Sequence, residues 1–238
     1  MSFFINTKYR TDAIEIMDDF SIDGAILENT LDQLANINKW LAGNSVTLSG
    51  LKAVLKKYPK HKPLTIIDLG CGNGDMLRIV AQYLKKNHFN FKLIGVDANA
   101  CAIEYAQKLS VDYPEIMYLQ QDIFSEEFKL LTYDLVLATL FLHHFKKEQL
   151  ITLLSELLKT AKLGILVNDL HRHKMAYYLF KGLGLFIKNH MVKQDGLTSV
   201  LRGFKRKELE KMSNELNVKS EISWKWAFRF QWILKKKV

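Results

Sequence analysis

Between Leu64 and Asp169, short apolar runs alternate with amphipathic stretches, and little but a layered α/β fold satisfies that pattern. Leu64–Leu69 is a compact apolar run that ends in glycines, which reads as a buried parallel strand. Met76–Lys86 reads as a helix, Phe91–Val96 as a second strand and Ala100–Leu109 as a second helix. Ile116–Gln120, Tyr133–Thr139 and Leu163–Asp169 supply three more strands. Between the last two lies a helix, Lys147–Lys159, with Leu150, Leu153, Leu154, Leu157 and Leu158 on one face. Strands alternating with helices imply a parallel sheet covered on both faces. Ligands of such sheets bind beyond the carboxyl ends of the strands, so the chemistry is expected there.

The segments on either side follow other patterns. Ile26, Leu27, Leu31, Leu34, Ile37 and Leu41 recur at three- and four-residue steps and predict a helix over Ile26–Leu41, with Gly43 as its stop. Thr47 reads as the N-cap of a second helix that runs to Tyr58 and ends at Pro59. Residues 1–60 are therefore expected to form a helical extension that caps the cofactor or acceptor. Met175–Val192 is rich in Tyr, Leu, Phe and Ile and is interrupted by Gly182 and Gly184, while Lys205–Leu216 returns to a helical pattern. Val218–Leu234 is aromatic and β-prone, enough for one long strand or a hairpin.

Composition narrows the class further. The chain has 238 residues, 48% of them apolar, sufficient for a large core without cross-links. Its only cysteines, Cys71 and Cys101, lie in a glycine loop and at a helix start, which argues against a disulfide framework and for a reducing compartment. No secretory leader and no spanning stretch are read, so the expectation is a soluble cytoplasmic protein. Residues 1–145 carry 14 Lys/Arg against 17 Asp/Glu, and residues 146–238 carry 20 against 8. A basic C-terminal part suits nucleic acid, an anionic membrane surface or an acidic substrate, or is simply a solvated lysine-rich surface.

The most informative local motif is Asp68-Leu69-Gly70-Cys71-Gly72-Asn73-Gly74-Asp75, which follows one strand and opens a helix. Glycines there let the backbone approach a ligand and leave N–H groups free at a helix N-terminus. The spacing is Gly-x-Gly-x-Gly, not the Gly-x-Gly-x-x-Gly of dinucleotide sites, whose third glycine is replaced by Asp75. An acid there would repel a pyrophosphate and tolerate an ammonium group. Asp97 ends the second strand, where a carboxylate can accept both hydroxyls of a ribose. Asp122 follows the third strand, where an adenine amine would be met. Any one of these acids could merely cap a helix; three in successive strand-end slots point to a nucleoside ligand.

At these residues the chain resembles the class I S-adenosylmethionine-dependent methyltransferases, from roughly Leu64 to Asp169. The loop Asp68–Gly74 is similar to the family's first motif, and Tyr133–Thr139 to its fourth-strand motif. Leu140-Phe141-Leu142-His143-His144-Phe145 most resembles small-molecule methyltransferases of the quinone-biosynthesis type. The resemblance implies a seven-stranded, mostly parallel Rossmann-like sheet with helices on both faces, an N-terminal helical extension, and a lid over 174–203 inserted after strand five within a domain spanning 61–238. It implies S-adenosyl-L-methionine as cofactor, with S-adenosyl-L-homocysteine as product. Asp68, Gly70, Cys71, Gly72, Asn73 and Gly74 would border its methionine part, Asp97 would meet its ribose and Asp122 its adenine, with Ala98, Ile123 and Thr139 also among the cofactor contacts. The Asn/Asp-Pro-Pro-aromatic turn of base-amine methyltransferases is missing, since Ala138-Thr139-Leu140-Phe141 stands there.

A sulfonium already carries an activated methyl group, so the protein must align a nucleophile and exclude water. A general base helps if the acceptor is a phenol, carboxylate or carbon acid. His171 and His144 are the candidate bases, with His143, Arg172, Tyr177 and Tyr178 as candidate acceptor contacts. Tyr177, Tyr178, Phe180 and Phe186 would wall an apolar pocket, and the same segment with Lys174, Lys181 and Lys188 suits a membrane surface. No acids cluster at metal-ligand spacing, so no metal is expected. The expected partner is a small apolar, polyketide-, quinone- or lipid-like acceptor. The alternatives are an RNA or protein methyltransferase docking through the basic part, and a non-catalytic cofactor-binding module.

Overall fold

The computed structural model describes residues 5–237. A seven-stranded sheet runs β3 (Ile116–Gln120), β2 (Phe91–Asp97), β1 (Leu64–Leu69), β4 (Leu135–Thr139), β5 (Gly164–Leu170), β7 (Arg229–Lys236), β6 (Val218–Lys225). The first five strands are parallel to their neighbours, and β7 and β6 form an antiparallel hairpin against β5. The helices are α1 (Gly24–Trp40), α2 (Gly43–Leu55), α3 (Asp75–Lys86), α4 (Ala100–Leu109), α5 (Glu126–Lys129), α6 (Lys147–Thr160), α7 (Lys174–Leu183), α8 (His190–Arg202) and α9 (Arg206–Glu215). Short 3-10 turns cover Ile16–Asp18 and Leu142–His144.

The strands read as continuous apolar runs because both faces of the sheet are buried. Successive side chains point to opposite faces, so Leu64 and Ile66 join one core while Ile67 and Leu69 join the other. The core of Ile67 and Leu69 takes the leucine face of α6, at about 1.5–3 kcal/mol per buried side chain, with Leu209 and Met212 of α9. The core of Leu64 and Ile66 takes Leu77, Val80 and Leu84 of α3 and Leu51 and Leu55 of α2. The division expected at residue 60 therefore cuts across packing: α2 shares the core of the sheet.

Most predicted elements match the structure to within two residues. The start of α2 is an exception. Gly43 is its first residue rather than the stop of α1, and the left-handed turn falls on Ala42, with φ of 57°. Gly43 is needed for space, since a Cβ there would meet Asn38 Oδ1 at 1.9 Å. Thr47 is not a cap: it is buried inside α2, and its hydroxyl meets Thr139 Oγ1 at 3.1 Å and accepts from Asn168 Nδ2 at 3.0 Å. α2 ends at Leu55, short of Tyr58. The 174–203 segment is two helices, α7 and α8, and the C-terminal stretch is the hairpin.

Candidate active site

The strand order reverses between β1 and β4, and the crevice beyond their carboxyl ends is where such sheets take ligands. The glycine loop fills one side of it. Gly70, Gly72 and Gly74 have φ of 64°, 51° and 77°, left-handed values that a side chain resists. Space also demands them: a Cβ on Gly70 would lie 2.2 Å from Phe141 Cδ2, and one on Gly74 2.1 Å from Tyr118 Oη. Cys71 N–H donates to Val96 O at 3.1 Å and ties the loop to β2.

Acids surround this loop. Asp97 Oδ2 accepts from Gly72 N–H, and its Oδ1 from Asn99 N–H, both at 3.0 Å. Asp68 is buried, and its Oδ1 has no hydrogen-bond partner. Burial, then the charges of Asp75 and Asp97, push the Asp68 carboxyl well above the carboxylate range. Burial also raises Asp75 and Asp97. Such a crowd of desolvated acids is relieved by a positive charge placed among them. An orphaned buried carboxylate oxygen beside a left-handed glycine cradle fits a ligand that carries an ammonium group. Ala98 flanks Asp97, and Ile123 is buried beyond β3. Asp122 is exposed and caps its own turn, accepting from Phe124 N–H at 2.9 Å.

The N-terminal helix α1 lies against the loop, while Trp40 at its end is 74% exposed. Leu31 Cδ2 comes within 3.2 Å of where a Gly72 Cβ would stand. Asp32 accepts from Asn73 Nδ2 at 3.1 Å and from Tyr105 Oη at 2.7 Å, binding α1 to both the loop and α4.

Opposite the loop, the turn after β4 carries Phe141, His143 and His144. His143 is buried, with Nδ1 2.8 Å from Asp169 Oδ1 and Nε2 3.6 Å from Glu15 Oε1. Burial would raise the Asp169 carboxyl, but the charge of His143 and its hydrogen bond hold it below its usual value. His144 is half-buried, and its Nδ1 lies 2.6 Å from Asp18 Oδ1. Its ring lies 6.4 Å from that of Phe141, which packs on Gly70, and this places it beside the crevice; its charge lowers both Asp97 and Asp169. Burial drives the Glu15 carboxyl up to about 7, against the pull of His144, the Ser199 hydroxyl and Arg202.

His171 is placed differently. It lies beyond β5 against the hairpin: its N–H donates to Phe228 O at 2.8 Å, and its Nδ1 faces Trp224 Nε1 at 3.3 Å. Burial, then Lys205, lowers its pKa to about 4, a poor match for a base at neutral pH. Arg172 also departs from expectation. It is fully buried, pairs with Glu208 Oε1 at 2.6 Å, and donates to the carbonyls of Thr7, Lys8 and Gly203, so no donor group is offered to an acceptor. The expected aromatic wall is not assembled either. Phe186 is 84% exposed, Tyr178 receives the Ile5 N–H at 3.5 Å, and Tyr177 packs edge-on against it. Phe180 instead fills the space over Gly196 of α8.

Sequence reasoning missed Glu15, Asp18, Asp195 and Arg202. Asp195 accepts the N–H groups of Ile16 and Met17, which fixes the N-terminal turn on α8. Arg202 donates to Asp18 Oδ2 at 2.6 Å and to the carbonyls of His143 and His144. An open groove of about 570 Å3 runs beside this turn, lined by Ile16, Ile26, Asn29, Gln33, Lys188 and Met191. No helix among the described residues is long and apolar enough to cross a membrane.

Residues 66–164 match a family described as a methyltransferase domain. No curated protein matches the sequence. Among solved structures, the chain is similar to the plantazolicin methyltransferase BpumL in complex with SAH, at 19% identity, TM-score 0.66, and 89% coverage of each chain. It is similar to magnesium protoporphyrin IX methyltransferase from Synechocystis PCC 6803 with bound SAH, at 16% identity, TM-score 0.54, and 82% of this chain against 84% of that one. It is also similar to the CurJ carbon methyltransferase, at 16% identity and TM-score 0.61, covering 82% of this chain and 54% of the other.

Proposed function

We propose, on the premise that residues 66–164 are a methyltransferase domain and the chain a class I S-adenosylmethionine-dependent methyltransferase, that it methylates a small apolar or aromatic acceptor. The observation that carries the cofactor is the unpartnered Asp68 Oδ1 within the glycine cradle. Asp68 would hold the ammonium group of the methionine part, and Gly70–Gly74 would let its chain pass. Asp97, already fixed by the N–H groups of Gly72 and Asn99, would receive the ribose hydroxyls. Asp122 and Ile123 would border the adenine.

The cofactor supplies a methyl group on a positively charged sulfur, and the chain's own residues supply alignment, dryness and proton management. Phe141 lies on Gly70 and Leu31 over Gly72, which keeps water from the loop. The acceptor would enter from the groove beside Ile16 and Ile26, whose mixed lining suits a molecule with an apolar body and a few polar atoms. The acceptor's proton would pass to the His144 side of the mouth. His144 is oriented by Asp18 on one ring nitrogen, which leaves the other free. The solved neighbours that act on a plantazolicin and on a porphyrin support an acceptor larger than a metabolite fragment.

A thermal-shift panel with S-adenosylhomocysteine, S-adenosylmethionine, NADH and FAD tests the cofactor. Ligand at about 100 times its dissociation constant adds about 2.7 kcal/mol, or roughly 5–10 °C for a chain of this size. Stabilisation by NADH or FAD alone would overturn the reading. Tight binding of RNA by the full chain, with an affinity that falls steeply with salt, would move the acceptor to nucleic acid.

A further inference from the structure

The cofactor contacts leave unused a group of side chains at the mouth of the crevice. One ring nitrogen each of His143 and His144 and one carboxylate oxygen of Glu15 lie within 4.8 Å of one another. His143 Nε2 and Glu15 Oε1 are 3.6 Å apart. Two ligands bound tetrahedrally to zinc at about 2.0–2.1 Å stand about 3.3 Å from each other, so this pair needs only a small adjustment to share an ion. Glu15 is 4% exposed, and its Oε1 makes no hydrogen bond although it is buried and faces the His143 ring.

The outer contacts follow the same logic. His143 Nδ1 is held by Asp169 at 2.8 Å, and His144 Nδ1 by Asp18 at 2.6 Å. A carboxylate on Nδ1 fixes the tautomer whose lone pair sits on Nε2 and raises its basicity, as metal-ligating histidines require. Charge is consistent as well. Glu15, Asp18, Asp169 and Asp195 face this region against the guanidinium of Arg202, 3.7 Å from Glu15 Oε1, and that of Arg10, which donates to the carbonyls of His143 and Phe145.

We propose that Glu15, His143 and His144 bind a divalent transition-metal cation of the zinc class. Two imidazoles and one carboxylate leave further coordination positions to water or to an acceptor heteroatom, the composition of an open rather than a closed zinc site. A cation there would lower the pKa of a bound hydroxyl or amine by coordination, in place of proton removal by His144. The claim concerns cation binding, and it is read without any methyl transfer.

The test uses the full chain, purified without a polyhistidine tag, stripped with chelator and titrated with Co2+ followed by Zn2+. The expected result is one equivalent of Co2+ with visible absorption bands, displaced by Zn2+, and a rise in melting temperature with Zn2+. E15Q and H143Q should each weaken binding at least about tenfold, while H171Q leaves it unchanged. If E15Q or H143Q does not fold, H144Q carries the same comparison, since that ring is half-exposed. Absence of stoichiometric binding, or equal affinity in the parent and the ligand variants, overturns the proposal. Protons rather than a metal then balance the cluster.

Discussion

The ring of Phe141 lies directly on Gly70: a Cβ at that glycine would stand 2.2 Å from Phe141 Cδ2 and 2.7 Å from Cε2. The turn after β4 is thus packed onto the loop after β1, and the two halves of the crevice set each other's position. Neither can shift without the other.

Gly70→Ala should therefore fail twice. The left-handed backbone costs an alanine about 1–2 kcal/mol, and the displaced Phe141 disturbs the cofactor cradle. Calorimetry with S-adenosylhomocysteine should show affinity lowered by more than about tenfold, or about 1.4 kcal/mol. Binding within twofold of the parent would mean that the cradle tolerates a side chain.

Asp68→Asn should separate stability from binding. A carboxyl raised in the folded state binds a proton more tightly than in the unfolded chain, so its contribution to stability declines as pH rises toward the folded pKa. Asparagine removes that penalty, and the unliganded variant should melt at or above the parent at neutral pH. Affinity for S-adenosylmethionine should fall about 10–100-fold with loss of a charge-assisted contact of about 1.5–3 kcal/mol. A variant that loses stability and keeps affinity would place the ammonium elsewhere.

Arg172→Met tests the reassignment of that residue from acceptor contact to scaffold. Its guanidinium joins Glu208 to the carbonyls of Thr7, Lys8 and Gly203. Urea unfolding should report a loss of about 1–3 kcal/mol from the buried carbonyls left unpaired, Glu208 being partly solvated, with cofactor affinity of the folded fraction unchanged. A stable variant with impaired turnover would restore the acceptor role.

Glu15 gives a pH signature. Its pKa rises from 4.5 to about 7 on folding, chiefly by burial. Over that window the folded chain holds a proton that the unfolded chain has released, so stability should fall as pH increases from about 4.5 to 7 and level off above. Melting curves in chelator should show that slope in the parent and a flatter profile in E15Q. Identical slopes would remove Glu15 from the buried carboxylates.

The two histidines singled out in the sequence should separate in activity. H144Q should lower kcat by about 10²–10⁴-fold, whereas H171Q, on the hairpin side and with a pKa near 4, should stay within a few-fold of the parent. The reverse outcome would move the acceptor to the far side of β5.

The sheet was legible because parallel strands buried on both faces are spelled by uninterrupted apolar runs, and the glycine loop because left-handed backbone admits few residues. The acceptor side was not. Glu15 meets His143, and Asp195 meets Ile16, only through folding over long sequence separations, and no spacing rule records such pairs. His171 sat at a strand end that the β6–β7 hairpin covers, and a β-prone stretch does not reveal which edge it will join, while Arg172 beside it is buried by Thr7, Lys8 and Glu208 from distant parts of the chain. Gly43 and Thr47 misled for a related reason: turn-forming residues are also the small ones that close packing selects.

α1 is fastened to the glycine loop by Asp32, which holds Asn73 and Tyr105, and by an apolar cluster of Leu27, Leu31 and Ala102, while Asn189 holds Asn29 and Thr30 to the start of α8. Local opening of a segment costs only what it breaks, far less than global unfolding. Breaking Asp32's two hydrogen bonds would therefore loosen this cover locally at the loop, while Asn189 still pins the same helix to α8.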